Sequence, residues 1–268
     1  MLIIKKPPYQ TKKTKQVCKT MDLQVKPIKT SKDKIKQPEL AKKDIIPKLG
    51  SSIIFCGRSG SGKTTLLHNL LIDDRFYGKN KYFKHIFLFS PSAQVDDIQK
   101  ELQLPEACIF SDLAAAPLAI EKIYNHQMAL VKKFGADKAP QICLIFDDCI
   151  GDVKFMKNKW VIKSFIASRH FNATTMLCAQ HWTKVERVNR LQASMLYFWP
   201  MSQSALELLA DEFTPSGMTK KQFYVMVQES LSEPYAFLSI NMKVPDDERY
   251  RINLDTIINL DYYKSLAV

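Results

Sequence analysis

The sequence predicts a three-layer α/β sandwich around a mostly parallel sheet, and three observations predict it. Apolar runs of strand length recur along the 268 residues and alternate with stretches of helical periodicity. One such run, Ser52 to Cys56, feeds Gly57-Arg58-Ser59-Gly60-Ser61-Gly62-Lys63-Thr64-Thr65, and a helical run, Leu66 to Leu71, follows. Another, Gln141 to Phe146, ends on Asp147-Asp148. Its successive apolar residues describe a strand buried on both faces of a parallel sheet, and its carboxylates sit where such sheets place ligands.

The glycine-rich stretch satisfies the phosphate-loop pattern G-x-x-x-x-G-K-[ST] in the strand–loop–helix context that the motif requires. Only eight glycines occur in the chain and three of them lie here, so low complexity does not account for it. Backbone amides of Gly57, Ser59, Gly60, Ser61 and Gly62, with Lys63, Thr64 and Thr65, would cradle a di- or triphosphate at the helix N-terminus. Lys63 would reach the β/γ-phosphates and the Thr64 hydroxyl would ligate Mg²⁺. Asp147 and Asp148 read as a Walker B pair, Asp147 for the hydrated Mg²⁺ and Asp148 to orient or deprotonate the attacking water.

In chain order, His85 to Ser90 is a second buried strand stopped by Pro91. A short amphipathic helix with Val95, Ile98 and Leu102 follows, then a brief strand, Ala107 to Phe110. Pro117 to Phe134 is helical, with Leu118, Ile123, Met128 and Val131 facing the core. Phe155 to Arg169 reads as one helix that delivers Ser168-Arg169-His170 to the rim. Ala173 to Ala179 is a buried strand with Gln180 at its C-terminal end, where an amide can hydrogen-bond the γ-phosphate or the water. Ser194 to Trp199 is a further strand. Ser204–Glu207 and Thr219–Gln222 fit capping boxes, and Tyr235 to Ile240 is the last strand. Beyond Asn241 the pattern assigns nothing.

Charge divides the chain. Residues 1–49 carry 14 lysines against four acids, whereas residues 50–268 carry 25 basic and 23 acidic side chains. Residues 1–49 therefore read as a Lys-rich arm, disordered or extended, able to hold a polyanion through phosphate contacts; residues 50–268 form one phosphate-loop domain. Six cysteines without a C-x-x-C pair point to a reducing compartment, with neither a disulfide framework nor a zinc site. No apolar run reaches membrane-spanning length, and Met1 to Ile4 is no signal peptide.

The set GRSGSGKTT, HIFLFSPS, LIFDDC, SRHFNATTMLCAQH, MLYFW and EPYAFLSI resembles the DNA-packaging ATPases of large DNA viruses and their virophage and polinton-like relatives, in the HerA–FtsK superfamily. What narrows the resemblance is the Arg169-His170 pair before a strand that ends in Gln180, with the Asp-Asp ending of Walker B. It covers about residues 50–242 and implies a P-loop NTPase of the additional-strand, RecA-like FtsK–HerA type. It further implies ATP and Mg²⁺ as cofactors and a homo-oligomeric ring that packages double-stranded DNA into a preformed capsid. Partners would be that DNA and capsid portal or vertex proteins. The location would be the host cytoplasm at the viral assembly site, and the virion. Ring motors complete the site with a neighbour's arginine, for which Arg169, Arg187 and Arg190, all read as lying near strand ends on the nucleotide side, are the candidates; Lys63, Asp148, Gln180 and Arg169 form the catalytic set. One departure is Asp148 where the superfamily usually has Glu.

Other classes are weighed on the same residues. A nucleoside or nucleotide kinase needs an Arg-rich lid, and only Arg187 and Arg190 lie near the fourth strand. A GTPase needs an N-K-x-D guanine reader, and Asn158-Lys159-Trp160-Val161 lacks the Asp. A basic DNA-binding structural protein would have a degenerate nucleotide site, against which Lys63, Thr64 and Asp147 all stand intact.

Overall fold

A computed structural model describes residues 30–78, 81–93 and 97–267, and the elements below lie in one compact unit, Ser31–Val268. Among these residues nine strands form one sheet: β1 (Ser52–Cys56), β2 (Phe83–Phe89), β3 (Ile109–Phe110), β4 (Gln141–Asp147), β5 (Ala173–Ala179), β6 (Met195–Phe198), β7 (Leu238–Asn241), β8 (Tyr250–Ile252) and β9 (Thr256–Ile257). Their spatial order is β3-β2-β4-β5-β1-β6-β7-β8-β9. β1 to β6 run parallel, and β7, β8 and β9 extend the sheet antiparallel.

The parallel strands alternate side chains between two apolar cores, which makes the fold three-layered. Ile53 and Phe55 of β1 face one core with Cys143, Ile145 and Met176, under Leu66, Leu67, Leu70 and Leu71 of the helix Lys63–Ile72. Ile54 and Cys56 face the other with Leu144, Phe146 and Leu177, under the helices Ala116–Phe134, Lys159–Ile166, Gln203–Phe213 and Lys220–Ser230. Leu67, Leu70 and Leu71 are wholly buried, and full burial of each such side chain is worth about 1.5–3 kcal/mol. β1 therefore has packed neighbours on every side, and the loop at its C-terminal end starts from a rigid platform. No helix among the described residues is long and apolar enough to cross a membrane. Cys56, Cys108, Cys143, Cys149 and Cys178 are buried free thiols; Cys18 lies outside the described residues.

The structure amends several boundaries. Residues 31–49 belong to the compact unit: Ala41, Ile46 and Leu49 are buried, the Tyr77 hydroxyl donates to Pro47 O (2.5 Å) and Asn241 Nδ2 donates to Asp44 O (3.0 Å). Of the arm predicted over 1–49, residues 31–49 thus pack with the domain, and residues 1–29 lie outside the described residues. The single helix predicted over 155–169 is broken. Asn158 caps a new start by accepting the Trp160 N–H (2.9 Å), so Val153–Met156 and Lys159–Ile166 are separate helices, followed by a 3-10 turn, Ser168–His170. In Ala116–Phe134 the buried stripe is Ala116, Ile120, Tyr124 and Gln127, while Leu118 and Met128 point outward. The competing set, spaced by three and four residues, leads to the sheet, and its polar member Gln127 is satisfied by donating to Pro140 O (2.5 Å).

The Thr219 capping box is present in both directions: Gln222 N–H to Thr219 Oγ1 at 3.2 Å, and Thr219 N–H to Gln222 Oε1 at 2.8 Å. The box predicted at Ser204 is not; Ser202 caps instead, accepting the Ala205 N–H. The strand expected from Tyr235 starts at Leu238. The helix expected around Ile98 is Asp97–Leu102, with Leu102 buried; Val95 lies outside the described residues. Of the strand predicted over 107–110 only Ile109 and Phe110 pair, behind a 3-10 turn.

Candidate active site

The phosphate loop leaves β1 at Gly57, whose N–H is held by Ala179 O of β5 (3.1 Å). A Cβ at Gly57 would lie 2.7 Å from Trp199 Cβ and 2.8 Å from Ser61 Oγ, so the close approach of β6 to the loop requires glycine here. Gly60 and Gly62 have φ of +73° and +106°, the left-handed region in which glycine is favoured. Gly62 caps the helix Lys63–Ile72, whose first amides have no intrahelical acceptor and present the positive dipole end to the loop. The Lys63 ammonium donates to Gly57 O and Arg58 O, both at 2.7 Å, and spans the loop mouth. Ser61 Oγ is buried without a protein partner, an unmet hydrogen bond inside the cradle.

A cavity of about 550 Å³ opens over this loop. Its wall brings together Ser59, Gly60, Gly62, Lys63, Thr64 and Thr65 with Asp147, Asp148 and Gln180. Asp147 ends β4 half-buried, and Asp148 follows at φ +51°, a left-handed turn that aspartate tolerates better than most residues. That turn brings Asp148 Oδ1 to 3.2 Å from Gln180 Nε2, which donates to it. The adjacent Cys149 is not a nucleophile: its Sγ–H donates to Phe89 O (3.1 Å) and Asp147 O (3.2 Å), and burial, with Asp147 and Asp148 nearby, raises its thiol pKa. This thiol ties the end of β4 to the end of β2. Cys56, the last residue before the loop, is pushed up to about 12 by burial, with Lys63 opposing.

Hydroxyl and carboxylate oxygens at Thr64 and Asp147 are the hard donor set that suits Mg²⁺. The glycine cradle and the unmet Ser61 hydroxyl suit a polyphosphate. The residues fit both groups.

The arginines are not brought there. Arg169 precedes β5, at the opposite edge of the sheet, where its Cα would be 3.2 Å from a Cβ on Gly50. It lines a second cleft with Lys48, Gly50 and Lys243. The five residues of β1, Ser52–Cys56, stand between Gly50 and the loop at Gly57 and span about 17 Å at roughly 3.3 Å per residue. The reading that all three arginines lie on the nucleotide side is therefore corrected. The helix Lys159–Ile166 returns the chain from the C-terminal edge of β4 to the N-terminal edge of β5, and Arg169 travels with it. Arg190 is buried: Nε and Nη2 fork onto Glu212 (2.9 and 2.7 Å), Nη1 donates to Val185 O (2.5 Å), and the guanidinium lies over Trp182. Arg187 is exposed at the start of Arg187–Gln192, after the C-terminal end of β5.

The sequence reading missed Asn69, Trp199, Tyr235 and Phe237, all on the cavity wall. The apolar pattern makes Trp199 a strand end and Tyr235 a strand start, and neither position marks a binding site. The signals were Pro200 and Pro234, which break the strand pattern beside each aromatic.

The family described as "Poxvirus A32 protein" matches residues 42–259. Protein 015R of Frog virus 3 (isolate Goorha), described as uncharacterized, is 26% identical over 136 residues, 49% of this chain and 38% of that protein. The chain thus spans well under half of that relative's length. Among solved structures, B204, the DNA-packaging ATPase from Sulfolobus turreted icosahedral virus, superposes with a TM-score of 0.55 at 14% identity, over 78% of this chain and 99% of B204. The genome packaging NTPase B204 of Sulfolobus turreted icosahedral virus 2, in complex with ATP-γS, gives 0.51 at 16% identity over 78% and 98%. These likenesses show the fold: a mostly parallel sheet with helices on both faces.

Proposed function

Since the chain belongs to the Poxvirus A32 protein family, we propose that it is an ATPase that drives viral double-stranded DNA into a preformed capsid. The observation that carries the reading is the single cavity wall on which Lys63, Thr64, Asp147, Asp148 and Gln180 meet, although they come from the ends of two strands, β4 and β5, and from the helix that follows the phosphate loop. B204, of the same fold, is described as a DNA-packaging ATPase and is known in complex with ATP-γS.

Hydrolysis requires water to attack the γ-phosphorus while its bond to the β,γ-bridging oxygen breaks and ADP departs. Asp148 accepts the water proton, and Gln180, hydrogen-bonded to Asp148, fixes the carboxylate and the water. Lys63 leaves the loop carbonyls for the β/γ-phosphates and neutralises charge that builds on the transferred group. Thr64 and Asp147 would hold Mg²⁺, which would neutralise charge on the phosphates when bound. Asp148 is one methylene shorter than glutamate, so the water sits correspondingly closer to β4.

Arg169 lies at the far edge of its own subunit, so its part in hydrolysis is played on a neighbour's nucleotide. Arg187 is the second candidate for that part; Arg190 is committed to Glu212. The protein works as a homo-oligomeric ring on DNA at the site of virion assembly in the infected cell and engages the capsid vertex. Electron microscopy of the full chain with double-stranded DNA and a non-hydrolysable ATP analogue tests this. Closed rings threaded by DNA are expected; monomers under saturating nucleotide and DNA would contradict the ring.

A further inference from the structure

Tyr235 is an aromatic residue in an unusual setting. It is 76% exposed, its φ is +63°, and it lines the nucleotide cavity with Trp199 and Phe237. A non-glycine residue in the left-handed region carries backbone strain, and such strain persists only where the surroundings impose it. The surroundings here are explicit. Phe237 N–H donates to Asn253 Oδ1 (3.2 Å) and Asn253 N–H donates to Phe237 O (2.7 Å), clamping the segment onto the turn between β8 and β9. Ala236 N–H closes a turn onto Glu233 O (3.1 Å). The Phe237 ring packs on Trp199 (centroids 5.0 Å apart) and edge-on to Tyr197 (5.7 Å). The clamp holds Tyr235 at the phosphate loop: a Cβ on Gly62 would lie 3.9 Å from Tyr235 Cδ1.

The order of the strands decides what this ring meets. The loop rises from β1, between β5 on one side and β6 on the other. Asp147, Asp148 and Gln180 stand on the β4–β5 side, and Trp199, Phe237 and Tyr235 on the β6–β7 side. A nucleotide whose γ-phosphate faces Asp148 and Gln180 therefore lays its nucleoside toward β6 and β7. Building on the ATPase reading, we infer that Tyr235 is the platform on which the nucleotide base stacks, with Trp199 and Phe237 as the wall behind it. Stacking uses the flat face that every base presents and discriminates by ring area, so this subsite favours purines.

The test is calorimetric titration of the full chain with Mg·ATP and, separately, with inorganic triphosphate, which has no base. Tyr235→Ala should bind Mg·ATP about tenfold more weakly and triphosphate as wild type does. Tyr235→Phe should keep wild-type affinity for both. Tyr235→Gly should lose ATP affinity as the alanine variant does, yet unfold at no lower temperature, because glycine relieves the positive φ. A Tyr235→Ala protein with wild-type ATP affinity would overturn the platform. So would equal losses for ATP and triphosphate, which would make Tyr235 a support of the phosphate loop. Wild-type protein that binds neither ligand would overturn the nucleotide reading, and the platform with it.

Discussion

Lys63→Ala removes the ammonium group that spans Gly57 O and Arg58 O, and with it the charge proposed to meet the γ-phosphoryl group. Hydrolysis should fall to background while the circular dichroism spectrum and melting temperature stay near those of wild type. Asp148→Asn should bind Mg·ATP normally and turn it over about 10²–10⁴-fold more slowly, the usual worth of a positioned base. Wild-type turnover in Asp148→Asn would rule Asp148 out as the base and make Gln180, its hydrogen-bond partner, the next residue to test for orienting the water. Gly57→Ala tests the platform beneath the loop. Its Cβ would lie 2.7 Å from Trp199 Cβ, so overpacking of about 1–3 kcal/mol is expected. The melting temperature should drop by several degrees and nucleotide affinity with it. Lys63, Thr64, Asp147 and Asp148, the residues proposed to handle phosphate and Mg²⁺, could be picked out in the sequence because that chemistry asks for both residue type and spacing. Tyr235 could not, because stacking asks only for a flat ring and leaves no spacing to read.

Strands buried on both faces were equally legible: β1, β4, β5 and β6 fall within a residue of their apolar runs. What the runs did not reveal were breaks made by single polar side chains. Asn158 splits one helix by satisfying Trp160 N–H, and Asn253 ends the Tyr235 segment's strand by taking Phe237 N–H. β8 and β9, of three and two residues, are too short for periodicity to register. The 3-10 turn Ser31–Lys34 docks through Lys32 Nζ, which donates to His170 Nδ1 at 2.8 Å and requires that ring to be neutral. Burial, then Lys32 and Arg169, hold His170 below the ordinary histidine value. Protonation therefore favours the undocked or unfolded chain, and stability present above about pH 6.5 is lost as the pH falls through the lowered folded value. Hydrogen exchange in residues 31–35 should speed up between pH 7 and pH 5 beyond its intrinsic dependence, and His170→Gln should abolish the excess.

At the scale of the molecule, the Lys-rich arm and the ring are the parts proposed to act on DNA. Deleting residues 1–48 would strip buried Ala41 and Ile46, so residues 1–29, with eight lysines and one acid, are the segment to remove. If about four of those lysines contact phosphates, the slope of log affinity against log salt should shrink by roughly three to four units. An unchanged slope with a changed oligomer mass would make the arm an assembly device. Mixing Lys63→Ala subunits with Arg169→Ala or Arg187→Ala subunits should restore activity for whichever arginine acts across the interface; absence of rescue for both would remove the arginine in trans. The central claim, ATP hydrolysis coupled to DNA, is tested most directly by the steady-state phosphate release of the full chain with Mg·ATP, with and without double-stranded DNA, beside Lys63→Ala. The predicted result is hydrolysis that DNA accelerates in the wild type and that the variant lacks; a wild-type rate indifferent to DNA, or equal to that of a folded Lys63→Ala protein, would contradict it.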